Sequence, residues 1–246
     1  MLDELVPPGV ATAETFADPP GTPADHLHPE EWAVVASAVE RRRNEFATVR
    51  LCARRALTSI GLPPATLLPG TRGAPRWPEG AVGSMTHCDG FRGAAVARSA
   101  DMAAIGIDAE PDAPLPGDVL DVVALARERR WMAALAVAAP AVHWDRLLFS
   151  AKESVFKAWY PLAGRELDFQ EAEITVDPDG GTFIAALLVP GPRLPGARAP
   201  LAGFTGRWLA REGLILTAVT VPHPGTGEPG AEEPESGEPG TGRPGR

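Results

Sequence analysis

The sequence predicts an α+β protein with mostly antiparallel sheets packed with helices, and three observations point there. Residues 172–176 with 182–189, and 203–210 with 214–221, alternate in polarity around the turn-formers Asp177-Pro178-Asp179-Gly180-Gly181 and Arg211-Glu212-Gly213, the pattern of two hairpins. Apolar positions recur at helical spacing through 29–61, 119–139 and 147–159. The second half therefore reads as a strand, then helices, then an antiparallel sheet, and residues 1–103 have roughly similar content.

The 246 residues suffice for one large domain or two small ones with a real core. Hydrophobic residues make up 44% and charged residues 22%, globular values, with an abundance of Ala, Arg, Pro and Gly that would suit a high-GC bacterial genome. Of the net charge of −9, five Glu and two Arg between residues 223 and 246 supply −3, so the body carries −6 and a general nucleic-acid binder is excluded. Basic residues gather instead at Arg41-Arg42-Arg43, Arg50, Arg54 and Arg55, which fits one anionic ligand. Cys52 and Cys88 are the only cysteines and read as reduced thiols, with neither a disulfide framework nor a zinc cluster indicated. The N-terminus lacks a basic segment followed by an apolar run, and no stretch approaches membrane-spanning length, so a soluble, cytoplasmic protein is expected.

In chain order, residues 10–16 read as a strand before a Pro/Gly/Asp run. Pro29 opens a helical stretch that stops at Gly61, as two helices broken near the arginines. There Phe46, Ala53, Leu57 and Ile60 should face the core, while Arg43, Arg50 and Arg54 fall at i, i+7 and i+11 on the other side, either a solvated face or an anion-binding row. Strands follow at 84–87 and 94–98 about Asp89-Gly90, and a short buried strand at 104–111. A Pro-rich loop at 112–117 leads to one alanine-rich helix over 119–139, ending at Pro140, whose 127–131 segment should be solvated. From 223 onward Pro, Gly and Glu without apolar periodicity predict a disordered tail.

If 147–159 is a helix, Leu148, Val155 and Trp159 share its apolar face and Glu153 and Lys157 stand one turn apart. An isolated pair of that kind is ordinarily a surface salt bridge. Upstream, however, Asp108 and Glu110 sit at i, i+2 on a strand, which points both carboxylates the same way. Two like charges call for a cation, and Mg²⁺ takes oxygen ligands, so Asp108, Glu110 and Glu153 make a credible site. No Walker loop, dinucleotide-type glycine fingerprint or nucleophile elbow competes for these residues.

At these residues the chain resembles the 4′-phosphopantetheinyl transferases, in the long single-chain class that activates carrier proteins of polyketide, nonribosomal-peptide and siderophore synthesis. The matching motifs are Gly106-Ile107-Asp108-Ala109-Glu110 and Phe149-Ser150-Ala151-Lys152-Glu153-Ser154-Val155-Phe156-Lys157, at about the family separation. The likeness extends through Gly73-Ala74-Pro75-Arg76-Trp77-Pro78 and Gly83-Ser84-Met85-Thr86-His87-Cys88, and covers most of the chain apart from the tail. The resemblance implies a pseudo-dimeric fold of two similar α/β halves in one chain, with coenzyme A at their junction. Here these would be an N-terminal half at 1–103 with the coenzyme A phosphate-binding residues, a C-terminal half at 104–222 with the metal site and catalytic helix, and the tail at 223–246.

It implies a reaction as well: Mg²⁺-dependent transfer of 4′-phosphopantetheine from coenzyme A to a serine of an apo acyl or peptidyl carrier protein, releasing adenosine 3′,5′-bisphosphate, with Mn²⁺ the other candidate ion. Asp108, Glu110 and Glu153 would be the metal ligands, Glu153 would accept the serine proton, and Lys157 would stabilise or protonate the departing phosphate. Coenzyme A contacts are implied at Arg50 and either Arg42 or Arg43, whose planar forks suit phosphate. Thr86 and His87 are expected to touch the nucleotide phosphate, and Asp108, Lys152 and Lys157 to complete the contacts. Many relatives carry a lysine near Pro69 or Ala74, and Arg72 or Arg76 would stand in for it here. Part of 112–143 would meet the carrier protein, and a monomer is expected. Two other readings use the same residues: a Mg²⁺-dependent phosphoesterase that needs no acceptor protein, and a non-catalytic coenzyme A or nucleotide-binding module.

Overall fold

A computed structural model describes residues 1–224. The expected tail lies outside these residues, apart from His223 and Pro224. Among the described residues five α-helices and eight strands form two antiparallel sheets. The first sheet has the order β1 (Ala11–Thr15), β3 (Phe91–Arg98), β2 (Ala81–Cys88). The second has the order β4 (Met102–Pro111), β8 (Leu214–Pro222), β7 (Gly203–Arg211), β6 (Thr182–Leu187), β5 (Ala172–Asp177). No helix of the described residues is long and apolar enough to cross a membrane.

Each sheet carries one 20-residue helix. On the first lies α2 (Glu40–Ser59), preceded by the short α1 (Pro29–Val35), with the break at 36–39 falling just ahead of the arginines. On the second lies α5 (Trp144–Ala163), longer at both ends than its apolar stripe indicated and closed by Gly164 in the left-handed conformation. Strand β3 is buried on both faces. Ala94 and Val96 pack in clusters with α2 residues such as Ala53, Ala56 and Leu57, whereas Phe91, Ala95 and Ala97 join Ile105, Ile107, Ala109, Leu214 and Leu216 in a core shared between the sheets. The N-terminal Leu2 and Leu5 close that shared core.

The single helix expected over 119–139 is two: α3 (Gly117–Val123) and α4 (Ala126–Ala138). Two buried charges explain the break. Glu128 accepts the Leu125 N–H at 2.7 Å and caps α4, and Lys152 donates to the Val123 carbonyl at 2.9 Å at the end of α3. The same Glu128 accepts the Ile174 N–H on β5 at 2.7 Å, while Trp131 donates to the Ile174 carbonyl at 3.0 Å, so α4 covers part of the edge of the larger sheet. The 127–131 segment is therefore solvated only in part: Arg127 and Arg130 are exposed, whereas Glu128 is fully buried.

Candidate active site

Gly106 brings the site together. A Cβ there would lie 1.9 Å from the Ser154 carbonyl oxygen and 2.7 Å from the Ala158 nitrogen, so only a glycine lets α5 rest directly on β4. Beyond that contact the strand alternates. Ile107 and Ala109 enter the shared core, and Asp108 and Glu110 project towards the helix side, as extended geometry requires. β4 ends its sheet, so its outward N–H groups need partners, and β2 supplies them from side chains: Ile107 donates to Ser84 Oγ at 3.1 Å and Ala109 to Thr86 Oγ1 at 3.0 Å.

The Thr86 hydroxyl in turn donates to Asp108 Oδ1 at 3.3 Å. Lys157 Nζ reaches the same oxygen at 2.7 Å and the Ile107 carbonyl at 3.0 Å. Asp108 is 5% exposed, and its Oδ2 is buried with no hydrogen-bond partner. The surface salt bridge that an isolated Glu153–Lys157 pair would ordinarily make is not among the ion pairs of the described residues, because Lys157 turns to Asp108. Glu153 remains without a counter-ion contact, and burial pushes its carboxyl above the usual range, with repulsion from Asp108 adding to this and Lys157 opposing it. Glu110 is shifted in the same direction, first by burial and then by Asp108, although Arg146 and Lys157 pull the other way.

The donor set fits a hard divalent cation. All three carboxylates offer oxygen, Asp108 Oδ2 is an orphaned buried acceptor, and three acidic groups face only Lys157 and Arg146. Among the described residues no three His, Cys, Asp or Glu side chains close into a ready-made cluster. Mg²⁺ does not require an all-protein cage, since it keeps several waters and is completed by substrate phosphates.

Two neighbouring concavities lie on this side of the molecule, and the larger reaches Glu153. One, of about 660 Å³, runs between the loop 70–77, strand β2 and the end of α5, with Trp77, Met85, Phe156 and Tyr160 as its apolar walls and Glu153 and Lys157 in its lining. Arg72 lines its edge and pairs with Glu166 at 2.9 Å. The other shares Gly73, Pro75 and Met85 with it and is lined by Arg42, Arg50, His87 and Glu45. Arg42 donates to His87 Nε2 at 2.8 Å, so the ring accepts there as neutral imidazole. Burial and then Arg42 push the His87 pKa down, against the pull of Glu45 at 3.3 Å.

Of the expected site residues, Asp108, Lys157 and Thr86 meet through Asp108, Glu110 and Glu153 share its electrostatic field, and Arg42, Arg50 and His87 share the second concavity. Arg43 is not brought there and instead donates to the Ala36 carbonyl at 3.3 Å. Lys152 is neither solvated nor turned to this cluster. It is 3% exposed, and its ammonium is held by Glu128 at 2.8 Å and by the Val123 and Phe169 carbonyls. The arginine row is also not a solvated face. Arg50 lies over the Phe46 ring and donates to the Leu67 carbonyl at 2.9 Å, and Arg54 bonds the fully buried Glu31 at 3.1 Å. Sequence reasoning missed Glu45 and Arg146. Helical spacing could have found both, since Glu45 stands three residues after Arg42, and Arg146 seven before Glu153.

Residues 30–97 match the 4′-phosphopantetheinyl transferase N-terminal domain, and residues 104–212 match the 4′-phosphopantetheinyl transferase superfamily. The chain is 63% identical over 229 residues to 4′-phosphopantetheinyl transferase Svp of Streptomyces mobaraensis, covering 93% of this chain and 92% of that one. It is 48% identical over 226 residues to 4′-phosphopantetheinyl transferase PptT of Mycobacterium tuberculosis, covering 90% and 96%. A more distant likeness, 30% over 202 residues, covers 76% of this chain and 77% of enterobactin synthase component D of Salmonella typhimurium.

Proposed function

The chain belongs to the 4′-phosphopantetheinyl transferase family, and on that premise we propose that this enzyme uses coenzyme A to modify a serine of apo acyl or peptidyl carrier proteins, releasing adenosine 3′,5′-bisphosphate. The observation that carries the reading is Asp108, with one oxygen on Lys157 and the other orphaned, where Lys157 lines a groove that shares Gly73, Pro75 and Met85 with the Arg42, Arg50 and His87 pocket.

Arg42, Arg50 and His87 hold the nucleotide phosphate, with Arg72 nearer the pyrophosphate, and the apolar walls of the larger groove receive the pantetheine arm. The serine oxygen attacks the phosphorus that bears the pantetheine, and the bond from that phosphorus to the bridging oxygen breaks. Glu153, which makes no ion pair among the described residues, accepts the serine proton. Lys157 stabilises the phosphate oxygen that departs with the adenosine. Asp108, Glu110 and Glu153 would hold Mg²⁺ or Mn²⁺, which supplies charge neutralisation at the pyrophosphate. A division of the two halves at 103/104 would fall two residues into β4, just after the chain leaves the first sheet at Arg98, and the enzyme works as a cytoplasmic monomer on carriers of polyketide, nonribosomal-peptide, siderophore or fatty-acid synthesis.

Intact-protein mass spectrometry of an apo carrier protein incubated with the enzyme, coenzyme A and Mg²⁺, beside a chelator control, tests this. The expected result is a metal-dependent gain of the phosphopantetheine mass on the carrier serine. Hydrolysis of coenzyme A without that gain would favour the phosphoesterase, and binding without turnover the non-catalytic module.

A further inference from the structure

The proposed reaction leaves one charged side chain beside the carboxylates without a role. Arg146 lies in the first turn of α5, seven residues before Glu153 and eleven before Lys157, and these spacings place all three on one face of the helix. Its guanidinium is satisfied by three different residues. Nη1 donates to Glu110 Oε2 at 2.9 Å, Nε to the Ala113 carbonyl at 3.1 Å, and Nη2 to the Pro114 carbonyl at 2.9 Å. The side chain is 17% exposed and that of Glu110 is 20% exposed, so the pair is largely withdrawn from solvent. Only a planar fork meets three divergent acceptors at once; an ammonium of the same charge would not span them.

We infer that Arg146 is a positioning residue of the site: it holds Glu110 by one carboxylate oxygen and the loop after β4 by two carbonyls, so that Glu110 Oε1 is presented for a ligand in a set orientation. Among the described residues no hydrogen bond is made to Oε1. A carboxylate pinned through one oxygen keeps its plane and offers the other, the arrangement by which outer partners orient groups that bind metals. Lys157 does the matching task from the other end of the helix face, taking Asp108 Oδ1 while Oδ2 stays unpartnered. One face of α5 thus grips the two strand carboxylates by one oxygen each.

The loop has a second tether that does not involve Glu110. Asp145 Oδ2 accepts the Leu115 N–H at 2.8 Å. This separates positioning of Glu110 from mere attachment of the loop.

The inference rests on the cation site proposed above, and its test reads binding, not turnover. Mn²⁺ is titrated into the full-length protein with coenzyme A present and no carrier protein, and free Mn²⁺ is followed by electron paramagnetic resonance. Arg146→Met and Arg146→Lys are both expected to weaken Mn²⁺ binding by about 10-fold or more, the range for loss of a partner that orients a ligand. Asp145→Ala, which removes one tether of the loop and leaves the Arg146–Glu110 contact, is expected to change it less than about 2-fold. In a Glu110→Gln background Arg146→Met should add no further loss, because the two residues act as one unit. If Arg146→Met does not fold, Arg146→Lys carries the comparison with Asp145→Ala. Wild-type affinity in the folded Arg146 variants, an equal loss in Asp145→Ala, or full additivity with Glu110→Gln would each overturn the inference while leaving the metal site standing. No Mn²⁺ binding by the wild type would remove both.

Discussion

The two 20-residue helices make an instructive pair. Both lie across antiparallel sheets and both carry a polar row along one side, α2 through Arg43, Arg50 and Arg54, α5 through Arg146, Glu153 and Lys157. On α2 much of the row is consumed by the fold: Glu31 enters from α1 with no exposed surface, takes Arg54, lies 3.7 Å from Arg50, and accepts the Leu67 N–H at 2.7 Å. On α5 the cations meet only half of each strand carboxylate, and Glu153 makes no ion pair among the described residues. A charge row is structural where the fold provides its counter-charges and chemical where it leaves some out.

The largest expected effect tests the unpaired member of α5. Glu153→Gln should lower turnover by about 10²–10⁴, the range for losing a positioned proton acceptor, while coenzyme A still binds. Carrier modification read by mass spectrometry and coenzyme A binding read by calorimetry would check both halves of that statement. Unchanged turnover would make Glu153 as structural as Arg54 is on α2.

The opposite expectation holds for Glu31. Glu31→Ala strands Arg54 in a buried environment and releases Leu67, and is expected to cost about 3–5 kcal/mol of stability by denaturant unfolding without touching a reacting group. A smaller loss follows from the seam that positions α5. Gly106→Ala places a methyl against the Ser154 carbonyl and should destabilise by about 3 kcal/mol, with turnover falling further than folding alone accounts for because Asp108 and Glu110 shift with the strand.

The smallest effect is a pH dependence on the α2 side. The pKa of His87 in the free protein is pushed down by burial and then by Arg42, with Lys157 and Arg92 adding to this and Glu45 opposing it. A bound phosphate raises its pKa, so coenzyme A affinity is greatest below the free-state pKa and declines as pH rises through the bound-state value. His87→Gln should flatten that decline. Affinity measured across pH 5–8 for both proteins decides it; an identical slope would place the phosphate elsewhere.

Much of this was legible in the sequence. Period-two patterning located both hairpins of the larger sheet, and strand alternation placed Asp108 and Glu110 on one side, whereas the contact of Gly106 with α5 came only with the structure. Less legible was what each charge would do. Glu128 looked solvated in a run of arginines, yet it caps α4, binds β5 and holds Lys152, a residue that the motif pattern had assigned to phosphate.

By itself the sequence determined the element types, the two strand carboxylates and the helix that faces them, because hydrophobic periodicity and strand alternation act over a few residues. Only the tertiary structure decided which charges are spent. Glu31 with Arg54, Glu128 with Lys152 and Glu110 with Arg146 are separated by 23, 24 and 36 positions, and ion pairing depends on distance in space and on exclusion of water, neither of which local spacing encodes.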